Sequence, residues 1–395
     1  MKRLRYIITD LYKYTSILCL FFTAIASLYS NTANKIGLYI AIPITCILCT
    51  LLNKGFRFNL YEKILYLLFA WDFIAYIWAS DRELAAMELH MILGAFFLVY
   101  SISILARYKE LIPYLYFIYI LLYISAWNYA YHNILIFMVD NSDRLNDENL
   151  NANTLAYYTF YVSFASYVLS IVSEKKIYKK LWSFIFWVMI PISFGVSILT
   201  ASRQVLIIQI PLYLLLLYIR YIKGVSLKRK IVFYIISILC SIALSSQISN
   251  IYNNSYLKKR SEKNITKDGR AELAEDAIKI SMENLPLGVG SGNFQGISIT
   301  RQISHNSYLE ALANMGIIGI ALYSLLLGAF TYRQWQRYRK YKDKLIFAFF
   351  TFGIIYILDS IFFVFYNAVW LISFFMLVAA HSESYCLENF NTKAN

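Results

Sequence analysis

Charged residues are scarce in this chain: they make up 15% of its 395 residues, against about 25% in soluble globular domains. Proline is scarce too, with five in total, and fourteen glycines do not favour disorder. Hydrophobic residues account for 59% of the sequence, and the mean hydropathy is +0.53. The deficit of charge excludes an ordinary soluble domain and predicts a protein embedded in a membrane.

Several signatures of common chemistries are also missing. The sequence has no DxD or HExxH motif, no GxSxG elbow, and no lysine after its glycine cluster of the kind that a P-loop needs. The five cysteines lie in or beside apolar runs and form neither a disulfide framework nor a zinc site. We therefore expect no metal, no nucleotide and no other cofactor.

The apolar residues come in blocks whose length approaches the roughly 20 residues that a helix needs to cross a bilayer. This pattern predicts an all-α polytopic membrane protein with about twelve transmembrane helices. The predicted spans cover residues 15–30, 36–52, 64–80, 84–105, 111–131, 154–173, 181–201, 204–221, 231–248, 306–331, 345–364 and 368–381.

Basic residues predict how these spans are oriented. Lys and Arg number 37 and Asp and Glu 23, an excess that in a soluble protein would suggest nucleic-acid binding. Here 25 of the 37 fall in alternate connections between spans, so the positive-inside rule puts both termini in the cytoplasm and makes a nucleic-acid partner unnecessary. The chain then divides into spans one to nine (1–248), a long periplasmic loop (249–305), and spans ten to twelve with a cytoplasmic tail (306–395).

The long loop is predicted to contain a helix over residues 269–283. Leu273, Ala277 and Ile280 share one face of it, and the polar side is supplied by Glu272, Glu275, Asp276 and Lys279. Such a helix would lie on the membrane surface or pack over the mouth of the bundle.

Three side chains near the outward ends of the spans are candidates for chemistry. Arg203 stands at the junction of two apolar runs, where an ionisable group indicates a function, and its planar guanidinium matches phosphate oxygens. Arg270 opens the predicted loop helix. His305 stands where the chain returns to the membrane, and imidazole suits a general base near neutral pH. A snorkelling arginine, a solvated charge and a helix-capping residue remain the respective alternatives.

Other features are less specific. Gly288, Gly290 and Gly292 form a turn whose backbone amides are able to approach an anion, although an ordinary tight turn is the better explanation of the three glycines alone. Asp72, His90 and Asp359 lie within predicted spans, where pairing with one another or with Arg82 is one interpretation.

Read together, several motifs resemble the O-antigen ligase and polymerase family. They are TASRQ at 200–204, GRAELAEDAIKISMENLPLGVGSGNF at 269–294 and HNSYLEALANMGIIG at 305–319. WASDRELAA at 78–86 and LNANTLAYY at 150–158, which contains Asn153, add support. The similarity extends from about residue 70 to about residue 330.

The resemblance implies a metal-independent, inverting glycosyltransferase on the outer face of a bacterial inner membrane. Its donor would be a glycan on undecaprenyl pyrophosphate, and its acceptor a sugar hydroxyl of lipid A–core. By motif position, Arg203 and Arg270 would hold the donor pyrophosphate, and His305 would activate the acceptor hydroxyl. The residues expected to support them are Asn153, Gly288, Gly290, Gly292 and Asn306.

Three other functions compete with the ligase. A polymerase would join lipid-linked repeat units and needs the same arginines and base. A protein O-glycosylating enzyme would use a serine or threonine acceptor and is usually longer at its C-terminal end. A lipid-linked glycan flippase would concentrate its polar residues at mid-membrane, whereas here they gather at the outward boundary.

Overall fold

The computed structural model describes residues 2–26, 31–53, 58–132, 152–200, 202–222, 226–228, 230–232, 235 and 269–391. These residues form helices and short turns, and no strand occurs among them. The all-α prediction is confirmed for this part of the chain. Fourteen α-helices organise it: α1 Lys2–Ala26, α2 Asn31–Ile36, α3 Ile42–Leu52, α4 Leu60–Ala75, α5 Arg82–Leu105, α6 Ile112–Ala130, α7 Ala152–Val172, α8 Lys176–Leu199, α9 Arg203–Leu217, α10 Gly269–Glu283, α11 Phe294–Ile297, α12 Ser307–Tyr341, α13 Lys344–Asp359 and α14 Val369–Cys386.

Eight helical stretches in the described residues are long and apolar enough to cross a membrane. They are Leu4–Ala26, Thr32–Leu52, Arg82–Leu105, Lys109–Ala130, Asn153–Val172, Lys176–Leu199, Ser307–Tyr341 and Val369–Phe390, and Ile207–Tyr221 is a shorter apolar helix. Eleven of the twelve predicted spans coincide with helices of the structure, and the predicted span 231–248 lies largely outside the described residues. A multi-pass architecture is therefore supported, while twelve crossings stay a prediction.

Several of the connections that carry the basic residues meet at one end of the bundle, which we call the basic end. Arg107, after α5, donates to Asn53 at the end of α3 over 3.0 Å. Arg337, near the end of α12, donates to Glu383 on α14 over 2.7 Å. Lys13 on α1 pairs with Glu110 just before α6 at 2.8 Å. These contacts bring several of the basic connections together, while the side of the membrane that they face stays a prediction.

The opposite end, which we call the loop end, carries the starts of α5, α7, α9 and α12 and the segment that follows α13. Here the chain from Gly269 onwards folds back onto the bundle. The predicted loop helix is confirmed as α10, and Leu273, Ala277 and Ile280 are buried as expected. Residues 249–268 of the predicted long loop lie outside the described part.

Helix α12 is not one straight span. Its backbone leaves helical geometry at Gly316, with φ 66° and ψ −157°. The rings of Tyr308 and Tyr323 lie 5.4 Å apart, although a straight helix would separate these residues by about 22 Å. Ser307 and Tyr323 also both hydrogen-bond Ser360, at 2.8 and 2.7 Å. The first nine residues of α12, Ser307–Met315, therefore fold back beside the rest; we call them the re-entrant segment.

Candidate active site

The turn between α10 and α11, residues 285–293, docks onto the break in α12; we call it the glycine loop. The amides of Val289 and Gly290 donate to the carbonyls of Ala313 and Asn314 over 2.8 and 2.9 Å, and Ile317 N–H donates to Pro286 O over 3.0 Å. These bonds replace helical ones that the break removes. Non-helical backbone near a bilayer is tolerated where protein satisfies its polar groups, so the loop and the break stabilise each other.

The three glycines allow this close contact. Gly288, Gly290 and Gly292 all have positive φ, at 76°, 100° and 64°. A Cβ on Gly290 would lie 2.5 Å from Ala79 Cα, and one on Gly292 would lie 2.9 Å from Glu88 Cβ. The amides of Gly288 and Gly290 already donate to protein carbonyls. The structure therefore gives these glycines a packing role, which agrees with the tight turn that the sequence favoured over amides that approach an anion.

Asn293 fastens the glycine loop to the corner between α4 and α5. Its Oδ1 accepts hydrogen bonds from Ser80 Oγ and Asp81 N over 3.0 and 2.7 Å, and its Nδ2 donates to Asp81 O over 3.1 Å. The structure thus brings together two of the motifs that carried the family resemblance, WASD and GSGNF, which lie more than 200 residues apart.

Buried carboxylates lie beneath the loop. Glu88 is 5% exposed and accepts two hydrogen bonds from Asn367 Nδ2, each 2.9 Å long. Asp72 and Glu310 are also buried and interact electrostatically with Glu88. In the described residues no group of three or more His, Cys, Asp or Glu is arranged to hold a metal ion.

The sequence suggested that Asp72 or Asp359 pairs with His90 or Arg82. This prediction is wrong, because the structure gives His90 and Arg82 other hydrogen-bond partners. The ring of His90 lies 2.8 Å from Tyr39 Oη. Arg82 donates to the carbonyls of Tyr76 and Ile77 and so caps the end of α4. These hydrogen bonds satisfy His90 and Arg82 without a buried ion pair.

His305 occupies a tight turn just before α12, residues 304–306, which we call the histidine turn. Its φ is 54°, a left-handed conformation that few non-glycine residues adopt, and its side chain is half-buried. On one side, Ser304 N–H donates to Glu310 Oε2 over 2.6 Å. On the other, Asn306 caps α12, since its Oδ1 accepts from the amides of Tyr308 and Leu309 over 2.9 and 3.1 Å. Asn306 is thus a helix cap that fixes the turn.

Ser307 attaches this turn to the segment that follows α13. Its hydroxyl donates to Phe363 O over 2.7 Å and accepts from Phe365 N over 2.9 Å. The rings of Phe363 and Phe365 pack against Tyr157 of α7, with centroids 5.2 and 5.1 Å from its ring. The histidine turn is therefore connected to the first turns of α7 through Ser307 and the segment that follows α13.

Asn153 lies one helical turn before Tyr157 on α7, and its side chain connects this helix to the start of α9. Its Oδ1 accepts a hydrogen bond from Ser202 Oγ over 2.9 Å, and both side chains are buried. Arg203 follows as the first residue of α9. Asn153, the start of α9 and the histidine turn thus belong to one contact series at the loop end.

Arg270 lies in the first turn of α10 and is half-buried. The buried face of α10 packs with Val289, Phe294 and Ala313. Asp276 Oδ2 also accepts a hydrogen bond from Ile299 N over 2.9 Å, which ties α10 to the chain that leads to His305. The helix that carries Arg270 is therefore fixed against both the glycine loop and the re-entrant segment that follows His305.

The sequence did not single out Asn293, Asn314 or Ser202 as site residues. Each is a small polar residue whose partner lies at a distant position or on a facing backbone. For Asn314 the sequence held one local signal, since it lies four residues after Glu310 and therefore on the same face of a helix.

Comparison with known families gives one match. Residues 184–324 match a family model described as O-Antigen ligase. This region of the chain is therefore similar to the O-antigen ligase family. The matched region includes Arg203, Arg270 and His305, and runs from α8 to the part of α12 that follows its break. Members of the family are ligases and polymerases of the glycosyltransferase type. No curated protein matches the chain.

Proposed function

We propose that this protein is an O-antigen ligase, which transfers a glycan from undecaprenyl pyrophosphate to a sugar hydroxyl of lipid A–core. The reaction takes place on the periplasmic face of the inner membrane, and both termini of the chain are cytoplasmic. The family of residues 184–324 supports the class of reaction. The concentration of candidate residues at the loop end, opposite the basic end, supports the side of the membrane.

In this proposal Arg203 and Arg270 bind the donor pyrophosphate. The bond that breaks joins the anomeric carbon of the glycan to a diphosphate oxygen, so negative charge develops on the leaving group. Guanidinium groups remain charged at any relevant pH and match phosphate oxygens through two parallel hydrogen bonds. Such donors stabilise a leaving diphosphate without a metal ion.

His305 is the proposed general base. As the acceptor hydroxyl attacks the anomeric carbon, its proton passes to the imidazole, while the electron pair of the broken bond leaves with the diphosphate. A positioned base typically contributes about 10²–10⁴-fold to such a step. A single displacement of this kind inverts the configuration at the anomeric carbon.

The observation that carries the proposal is the contact series at the loop end. It runs from Ser202, beside Arg203, through Asn153 and Tyr157 to the segment that binds Ser307, two residues after His305. A base and a phosphate-binding arginine must act on neighbouring atoms of one substrate pair. Elements that fix both to the same part of the bundle meet that requirement.

The deciding experiment is deletion of this gene in its native cell, followed by gel analysis of the lipopolysaccharide. We expect bare lipid A–core together with accumulated lipid-linked polymer, and recovery when the wild-type chain is restored. Core that bears a single repeat unit would identify the protein as a polymerase instead. An unchanged lipopolysaccharide pattern would contradict both activities.

A further inference from the structure

Glu310 and Asn314 lie one turn apart on the re-entrant segment and are both buried, at 3% and 1% exposed. We propose that this pair is a positioning device which holds the imidazole of His305 in place and ties it to the glycine loop. This inference rests on the proposed function, in which His305 is the base. It assigns no chemical step to Glu310 itself.

One oxygen of Glu310 serves the histidine turn. Oε2 accepts the hydrogen bond from Ser304 N–H over 2.6 Å, and Ser304 immediately precedes His305. A left-handed residue is retained only where its surroundings fix it. Ser304 Oγ further accepts from Asn306 N over 3.2 Å and donates to Asn306 O over 2.9 Å. The carboxylate and this local ring of bonds fix the backbone on both sides of His305.

The other oxygen of Glu310 serves the glycine loop through Asn314. Asn314 Nδ2 donates to Oε1 over 3.2 Å, and Asn314 Oδ1 accepts from Phe294 N over 2.7 Å. The carbonyl of Asn314 also accepts from Gly290 N over 2.9 Å. The two side chains therefore bridge the histidine turn and the glycine loop, and a shift of the glycine loop is passed on to His305.

The same geometry argues against Glu310 as the base. A base must reach the acceptor hydroxyl, directly or through one water. Both oxygens of Glu310 are already engaged by protein groups, and its side chain is almost fully buried. A carboxylate such as that of Glu310, which accepts a hydrogen bond from a main-chain N–H, is suited to fixing a turn.

The test compares Glu310→Gln and Glu310→Ala with Glu283→Ala, an exposed glutamate of α10 that serves as the matched control. The full-length protein is reconstituted in vesicles with a lipid-linked glycan donor. Three quantities are measured: kcat, the KM for the donor, and the rate at which diethyl pyrocarbonate modifies His305, read by mass spectrometry of its peptide. Thermal unfolding in detergent shows that each variant is folded.

We expect Glu310→Ala to lower kcat about 100-fold with a donor KM within about twofold of wild type, because the base is displaced while the arginines are not. His305 should be modified at least about threefold faster, because its turn is released. Glu310→Gln retains one acceptor oxygen and the side-chain volume, so it should fall between wild type and alanine in both respects. Glu283→Ala should match the wild type.

An unchanged modification rate of His305 in both Glu310 variants would overturn the positioning role, whatever happens to kcat. A faster modification rate with kcat unchanged would confirm the positioning role and instead remove His305 from catalysis, so that the proposed base fails separately. If Glu310→Ala does not fold, Glu310→Gln carries the same comparison, since it preserves the packing volume.

Discussion

Tyr308 packs edge-on against Tyr323, with ring centroids 5.4 Å apart and planes inclined by 61°, although fifteen positions separate them on α12. This contact exists because the helix folds back at Gly316. The fold-back returns Ser307, and with it the histidine turn, to the level of Ser360 at the end of α13. The fold-back thereby holds His305 among the helix ends at the loop end, where a straight helix would place it beyond the bundle.

The first prediction concerns Gly316→Ala. The backbone at Gly316 lies in a region that is almost restricted to glycine, where another residue costs about 1–3 kcal/mol. An added Cβ would also collide with the carbonyl oxygen of Pro286. We expect a lower thermal unfolding midpoint in detergent and loss of glycan transfer.

Gly328→Ala is the matched control, since it changes a glycine of the same helix whose Cβ would meet no atom within 4 Å. Alanine there should leave transfer intact and stabilise the helix by about 0.5–1 kcal/mol. Equal effects of the two substitutions would contradict the account of the break.

The second prediction concerns Asn153→Ala. It removes the acceptor for Ser202 Oγ and leaves a buried hydroxyl unsatisfied, at a cost of about 1–3 kcal/mol. Because Ser202 precedes Arg203, we expect a KM for the lipid-linked donor that is several-fold higher, measured by steady-state transfer in vesicles.

Gln209→Met is the control for this substitution. Gln209 donates from α9 to Ala156 O and Thr159 Oγ1 of α7, over 3.3 and 3.0 Å. Its loss should weaken the same pair of helices at a position nearly two turns away from Arg203, with the donor KM unchanged. A rise in KM for both variants would show a general effect of the α7–α9 contact.

The sequence predicted well what depends on local pattern. The apolar face of α10 follows from the spacing of Leu273, Ala277 and Ile280, and the structure buries all three. The bend at Gly316 could not be predicted, because it depends on Pro286 and Val289 supplying bonds from another segment. Likewise, the bond between Asn293 and Asp81 joins residues that are distant in the chain. Periodicity reports on the face of one helix, and these contacts lie between elements.

The third prediction concerns the two arginines. Arg203→Lys and Arg270→Lys keep the charge but lose the planar fork that binds two phosphate oxygens. A hydrogen bond to a charged group contributes about 1.5–3 kcal/mol, so each variant should lose at least about tenfold in kcat/KM, and the alanine variants should lose more. Transfer from a purified lipid-linked donor measures this.

Arg301→Lys is the control for these variants, since Arg301 is an exposed arginine of the predicted loop 249–305 that also contains Arg270. It should retain the wild-type rate. A loss equal to that of Arg203→Lys and Arg270→Lys would indicate a general electrostatic attraction of the donor and would contradict a specific pyrophosphate clamp.

The fourth prediction is that transfer needs no divalent metal. In the proposed reaction the charge on the leaving diphosphate is stabilised by guanidinium groups. We expect the reconstituted protein to have the same kcat in EDTA as in Mg²⁺. Activity that is lost in EDTA and restored by Mg²⁺ would contradict a mechanism that relies on arginine alone.

The fifth prediction concerns His305→Asn. Asparagine tolerates the left-handed conformation at this position better than most residues do, so the turn should survive while the base is lost. We expect kcat to fall by about 10²–10⁴-fold with little change in donor binding or in the thermal unfolding midpoint. His132→Asn, at an exposed histidine beyond α6, should behave as wild type. Wild-type kcat in His305→Asn would show that another group accepts the proton, whereas a large loss confined to this variant would identify the imidazole as the base.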